Sequence, residues 1–377
     1  MKFVKYIISV LISVCILSGT VVFIFSEKKD FSENENRSLA DPPEFSTENI
    51  ADGNFMMETE EYLKDHFPAR DLLMKFKTKA QLLAGYRKIG DVFIGKERLY
   101  QIVASPDISR LTVSANRLFS AIESSSLKTS VMLIPTAAEI YPEDLPPYAQ
   151  VIDESEIIDE ILSEIDCDIK INMSDVLKEE KSKENNLFFY TDHHWTTYAA
   201  KSAYDKFCEE KNFAVISDDE FDKTCISDEF RGTLYSKVLD DSLKDEIYRY
   251  DYKDMTFSCK SGNVLTGEFK DFEYYAKEYL SKKDKYAYFG GGNLPLLILE
   301  NENCTQDSEI VVVKDSFANC FIPFLSINYK RIHVIDPRYF KGRTISSYIN
   351  ENKNITDVII IYGINSLNDN TAVSALS

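Results

Sequence analysis

Glycine (13) and proline (11) are scarce in a chain of 377 residues, which argues against collagen-like, linker-rich and low-complexity disordered architectures. Basic side chains are also in deficit: 43 Lys and Arg stand against 62 Asp and Glu, for a formal net charge of −19. Binding a phosphate backbone needs clustered cations, so this composition argues against a nucleic-acid partner. No C-x-x-C pair occurs among the cysteines, which removes the usual signature of a structural zinc site. Against these absences stand 24 Phe and 22 Tyr, far too many aromatics for a disordered chain. The chain therefore folds, and its length exceeds the roughly 250–300 residues at which a single core stops growing.

Charge is absent altogether from Tyr6 to Phe25, 20 residues that follow Lys2 and Lys5. That is about the length a helix needs to cross a hydrocarbon core. Ser18-Gly19-Thr20 makes a poor cleavage site because apolar residues resume at Val21, so an uncleaved anchor is expected. Cys15 follows Val14, where a lipoprotein site wants a small residue, and reads as a lipid-facing or packing side chain. The flanking charges nearly tie, with Lys28 and Lys29 offset by Glu27 and Asp30. The large acidic body behind the span favours the amino end inside and the body outside. The expected organisation is a transmembrane signal anchor at 1–25, an extracytoplasmic stalk at 26–54 containing Pro42-Pro43, and a folded body at 55–377. Two readings are open for Cys167, Cys208, Cys225, Cys259, Cys304 and Cys320: one or two disulfides, or isolated buried thiols.

Within the body, helical spacing is expected over 55–65 and 69–83, with Pro68 marking the start of the second. Residues 91–94 and 98–103 flank Gly95-Lys96-Glu97 as a hairpin with a three-residue loop. Helical patterns over 108–122 and 155–165 then alternate with short apolar runs at 130–134, 309–314, 331–336 and 356–362. That alternation predicts an α/β core with a parallel sheet buried on both faces. The stretch 208–303, rich in tyrosine and charge, breaks the pattern and reads as a β-rich insertion covering one end of the sheet.

Two of the four histidines and the single tryptophan fall together in Tyr190-Thr191-Asp192-His193-His194-Trp195-Thr196. Asp and Thr could simply cap the helix that follows, with the histidines packed at its start. The functional reading needs a nucleophile, and Ile310-Val-Val-Val313 followed by Lys314-Asp315-Ser316-Phe317 supplies a strand, a tight turn and a helical pattern. Such a turn presents a serine at the C-terminal edge of a sheet. Its hydroxyl needs an imidazole as base, and the imidazole needs a carboxylate to fix its tautomer. A metal site built on Asp192, His193 and His194 is weaker, because no second cluster at ligand spacing appears in the sequence. His333, inside an apolar run, reads as a satisfied core histidine.

Asp192-His193-His194-Trp195 preceding Asp315-Ser316-Phe317 resembles the DHHW family and its relatives, the SGNH-hydrolase-like polysaccharide O-acetyltransferases of the alginate acetylation type. The resemblance runs from Glu35-Asn36-Arg37 through Asp65-His66-Phe67-Pro68-Ala69-Arg70-Asp71 to the end of the chain. It implies an SGNH-hydrolase-like parallel sheet flanked by helices and circularly permuted, so that the histidine block precedes the serine block. Carried over, it implies Ser316 as nucleophile, His194 as general base and acid, and Asp192 as the orienting carboxylate, with His194 preferred to His193. Asn365, in Ile361-Tyr-Gly363-Ile-Asn365, matches the asparagine that helps bind the oxyanion together with the Ser316 N–H. It equally fits a plain turn residue beside Gly363.

The serine block departs from the family at Lys314, where glycine is usual, changing the charge expected beside the nucleophile. The second oxyanion block has no clear glycine counterpart in Arg338 to Gly342. Asp315 is assigned to the turn, and His66, Arg70 and Asp71 to the junction of the N-terminal helices with the sheet. The implied activity is an extracytoplasmic, serine-dependent O-acetyltransferase acting on a cell-surface or secreted polysaccharide, without cofactor or metal. Its implied acetyl donor is a multi-pass membrane acyltransferase, and its location the cell membrane with a single pass. The alternatives are a carbohydrate esterase and a non-catalytic, membrane-anchored carbohydrate-binding protein.

Overall fold

In the computed structural model the described residues are 2–32, 37–124, 126–183, 186–253 and 255–368. Glu35, Asn36 and the side chain of Cys15 lie outside them. The chain divides into two compact units, Met1–Tyr86 with Ser236–Asp241, and Arg87–Tyr235 with Ser242–Ser377.

The first unit begins with helix α1 (Lys2–Phe25). Its segment Tyr6–Phe25 has a mean hydropathy of 2.7 and is long and apolar enough to cross a bilayer. A two-residue ladder of β1 (Phe31–Ser32) and β2 (Arg37–Ser38) follows, then the short α2 (Thr47–Ala51). Helices α3 (Asn54–Asp65) and α4 (Arg70–Leu83) come next, matching the expected spacing. Arg37 donates to both carboxylate oxygens of Asp65, at 2.8 and 2.5 Å, and this pairing holds the Asp65 pKa down at about 2.

The second unit opens with β3 (Lys88–Ile89), β4 (Val92–Ile94) and β5 (Leu99–Gln101), a small antiparallel sheet. Its tight loop is one residue longer than expected because the chain wraps the Asp144 carboxylate, which accepts the amides of Lys96 and Glu97 at 2.7 and 2.9 Å. Then follow α5 (Ile108–Ser120), β6 (Lys128–Ile134), α6 (Ala137–Ile140), α7 (Glu154–Glu164), β7 (Ile169–Asn172), α8 (Met173–Lys181) and α9 (Thr197–Lys211). The antiparallel ribbon β8 (Phe221–Phe230) and β9 (Asp245–Tyr252) encloses α10 (Thr233–Val238) in its connection. The chain ends through β10 (Ser258–Gly262), β11 (Phe269–Asp271), β12 (Leu296–Glu300), β13 (Glu309–Lys314), α11 (Ile322–Leu325), β14 (Arg331–Ile335), α12 (Ile345–Glu351) and β15 (Ile355–Gly363).

One sheet of eight strands organises this unit, in the order β11-β10-β12-β14-β13-β15-β6-β7. The run from β14 to β7 is parallel, and β12, β10 and β11 add on antiparallel. Alternate residues feed two cores: Met132, Ile310, Val312, Ile359 and Ile361 on one face, Val131, Leu133, Val311, Val313, Val358 and Ile360 on the other. Apolar side chains on both faces are what near-continuous Val/Ile runs require. The α/β expectation therefore stands as a large, mostly parallel sheet between helices. The stretch 208–303 differs from expectation in one respect: its ribbon β8–β9 is separate, but β10, β11 and β12 extend the main sheet instead of covering it. All six body cysteines are free thiols. His333 is buried between the Tyr348 hydroxyl (2.7 Å) and Glu309 (3.0 Å), which leaves neither ring nitrogen unsatisfied.

Candidate active site

The histidine loop is closed at its base by the bridge between Phe188 and Trp195 and by the Phe189 amide donating to the His194 carbonyl at 3.2 Å. Outside the bridge Asp245, at the start of β9, accepts from the Tyr190 amide (2.6 Å), the Thr191 amide (2.8 Å) and the Thr191 hydroxyl (2.5 Å). Burial raises the Asp245 pKa to about 6, with those three donors acting against it. The Thr191 hydroxyl oxygen in turn accepts the Gly232 amide at 3.0 Å, tying the loop to the entry of α10.

Asp192 is buried and accepts four donors. One oxygen takes the His194 backbone amide (2.9 Å) and the His194 Nδ1–H (2.5 Å); the other takes the Thr233 amide (2.7 Å) and hydroxyl (3.0 Å). Burial alone would raise this carboxyl, but the two neighbouring imidazoles, the His194 bond and the Thr233 amide outweigh it and hold the pKa well below the usual carboxylate range. Asp192 is thus ionised, and it fixes the proton of His194 on Nδ1, leaving Nε2 as the acceptor.

That Nε2 lies 2.8 Å from the Ser316 hydroxyl, 122 residues away in sequence. Ser316 opens a short 3₁₀ turn directly after β13, at the C-terminal edge of the sheet. Asp315 sets the turn: one carboxylate oxygen accepts the Phe317 amide (2.9 Å) and the other the Gly363 amide at the end of β15 (2.8 Å). Asp315 therefore serves the turn. The single tryptophan joins the two halves, its indole N–H donating to the Phe317 carbonyl at 2.8 Å. Tyr286 joins them again: its ring stacks on His194 at 4.1 Å and its hydroxyl donates to the Ser316 carbonyl at 3.1 Å.

His193 lies against His194, ring centroids 3.9 Å apart, with Nδ1 3.6 Å from Asp192 and 2.7 Å from the Thr233 hydroxyl. Because that hydroxyl gives its proton to Asp192, its oxygen accepts from His193 Nδ1–H. Asp192, His193 and His194 do place ligand atoms within 4.8 Å of one another. Both ring nitrogens of His194 and both oxygens of Asp192 are already committed to the hydrogen bonds above, so a metal reading does not fit this donor set. Lys314 is held in a buried polar cluster. Its ammonium is buried, donates to Asn319 Oδ1 at 2.8 Å and lies 3.7 Å from Asp336, which also holds Arg338 through two bonds. Burial lowers the Lys314 pKa, against the pull of Asp336.

Asn365 makes no described hydrogen bond to Ser316. Its amide nitrogen reaches Gln101 at 3.5 Å, while its Oδ1 is buried without a hydrogen-bond partner, close to where a side chain on Gly363 would stand. The Ser316 amide occupies the first position of its helical turn, where no intrahelical acceptor exists. Gly232, Thr233, Asp245 and Tyr286 escaped the sequence reading. Only Tyr286 carried a signal, as part of the aromatic cluster Tyr286-Ala-Tyr-Phe289.

A family profile described as DHHW protein matches residues 89–335. Among solved structures, a DHHW family protein from Eubacterium siraeum superposes with a TM-score of 0.63 at 20% identity, over 75% of this chain and 93% of that one. Bacillus cereus PatB1 carrying a sulfonyl adduct superposes with a TM-score of 0.63 at 22% identity, over 73% of this chain and 95% of that one. No curated protein matches the chain. At these identities the likeness establishes a shared fold.

Proposed function

Since the chain belongs to the DHHW protein family, we propose that it is an extracytoplasmic O-acetyltransferase that moves an acetyl group through an acyl-serine onto a polysaccharide hydroxyl. The observation that carries this reading is the continuous relay Asp192–His194–Ser316, with bonds of 2.5 and 2.8 Å. The acetyl group and the polysaccharide acceptor come from the family resemblance of the histidine and serine blocks.

In the first half-reaction the Ser316 oxygen attacks the acyl carbonyl of the donor while its proton passes to His194 Nε2. The tetrahedral adduct collapses, the bond to the donor breaks, and the imidazolium returns the proton to the leaving group. In the second half, a sugar hydroxyl gives its proton to His194, attacks the acyl-serine and leaves as the acetyl ester, and the proton restores Ser316. Asp192 stays ionised throughout and stabilises the imidazolium, supported by its four donors. The Ser316 amide supplies one oxyanion donor, and Asn365 supplies the second by turning its amide nitrogen toward the adduct. Water in place of the sugar would give ester hydrolysis by the same steps. Helix Tyr6–Phe25 anchors the enzyme in a single pass, near a multi-pass membrane acyltransferase that delivers the acetyl group.

The test is mass spectrometry of the protein after exposure to an activated acetyl ester. One acetyl group on Ser316 is expected, together with losses on the order of 10⁴–10⁶ in rate for Ser316→Ala and His194→Ala that do not add in the double variant. Labelling that persists in Ser316→Ala, or a double variant far worse than either single, overturns the mechanism.

A further inference from the structure

Helix α4 inverts the charge of the molecule. In a chain of net −19 it carries Arg70, Lys75, Lys77 and Lys79 against a single Asp71. It also leaves apolar side chains in solvent: Leu72 is 67% exposed, Phe76 72% and Leu83 90%. At ~100° per residue these three fall within about 40° of one another on the helix surface, with Leu73 and Ala80 beside them. Lys79 borders the stripe on one side and Lys77 on the other, both exposed. Lys75 turns back to Asp241 at 2.7 Å. The opposite side of the helix is the one packed inward, where buried Thr78 donates to the Val238 carbonyl.

An apolar stripe edged by lysines is the pattern of a helix lying in a lipid interface, its apolar side sunk among the acyl chains and its cations among anionic headgroups. The same unit shows how the helix reaches that level. On α3, Tyr62 meets Phe23 of the final turn of α1, ring edge to ring face at 6.2 Å, and the α3–α4 turn is only four residues long. We propose that α4 docks on the surface of an anionic bilayer, beside the point where the chain leaves it. This rests on reading Tyr6–Phe25 as a membrane span, which it extends by a second, reversible contact. A docked α4 would restrain the start of the body at the bilayer instead of leaving it on a free tether.

The experiment uses the full chain with Phe76→Trp in vesicles of neutral and anionic phosphatidyl lipids, with and without brominated acyl chains. Fully buried Trp195 in the unchanged chain gives the background. The added emission should fall by roughly half with brominated lipid, as for a ring lying ~5–10 Å into the interface. The quenching should vanish when the anionic lipid is omitted or when Lys77→Glu and Lys79→Glu are added. Emission indifferent to bromine in a chain that resists alkaline extraction overturns the docking alone, and means that solvent or a protein covers this face. A chain that alkali extracts overturns the span reading and the docking together.

Discussion

Asp192 shows how much of a relay depends on residues that never touch the reacting atoms. Its carboxylate is packed against Gly232 so closely that a methyl group there would overlap it. Gly232→Ala must therefore push Asp192 away from His194 or move the entry of α10. The expected result is a loss of up to ~10⁴ in acyl-enzyme formation, the order seen when the orienting carboxylate fails, with the far-UV spectrum unchanged. Wild-type rates in Gly232→Ala would show that Asp192 is not needed in its present position. The three relay residues were legible because rare residue types converged: two of four histidines and the only tryptophan in one heptapeptide, and a serine at a strand-to-helix turn. Gly232 and Thr233 were not, since a contact that spans the whole of α9 and β8 leaves no local periodicity to read.

Elements were legible where burial imposes a period. The strands β6, β13, β14 and β15 and the helices α5 and α7 fall where apolar spacing put them, because both sheet faces are covered. Strand β12 is as apolar as its neighbours but lies in a tyrosine-rich, charged stretch, and only its partner β14 reveals that it belongs to the main sheet. A junction between elements also holds a titrating group. Glu154, the first residue of α7, is 2% exposed and accepts the amide and hydroxyl of Thr136 just after β6, at 2.6 and 2.7 Å. Burial pushes its pKa up to about 7, with the Thr136 bonds opposing. Between the ordinary glutamate value and that figure, the folded chain keeps a proton that the unfolded chain has released, so stability falls as pH rises. The contribution is full below ~pH 4.3 and gone above 7, at ~1.4 kcal/mol per unit. Glu154→Gln cannot ionise, so its urea midpoint should decline less than the wild type's between about pH 5 and pH 8. Parallel declines would show that Glu154 does not titrate in this window.

At the scale of the whole molecule, the relay and the apolar span belong to different parts of the chain. Asp192, His194, Ser316, Thr233, Asp245 and Tyr286 all lie in the second unit, while α1 lies in the first. Every hydrogen bond described for the relay closes within that second unit, so its geometry does not draw on the span. Chemistry and delivery should then separate. A chain of residues 26–377 should form the acetyl-serine from a soluble activated ester within about twofold of the full chain, because effective molarity at Ser316 is set by the local geometry alone. The same chain, exported in cells behind a cleavable signal peptide, should fail to acetylate envelope polysaccharide, since a donor presented at the bilayer reaches a tethered enzyme at an effective concentration that a freely diffusing one lacks. Ester chemistry at Ser316 in both forms, with polymer acetylation only in the full chain, is the expected pair of results. Equal polymer acetylation by the truncated chain would mean that the acetyl donor is soluble, and the membrane acyltransferase would drop out of the mechanism.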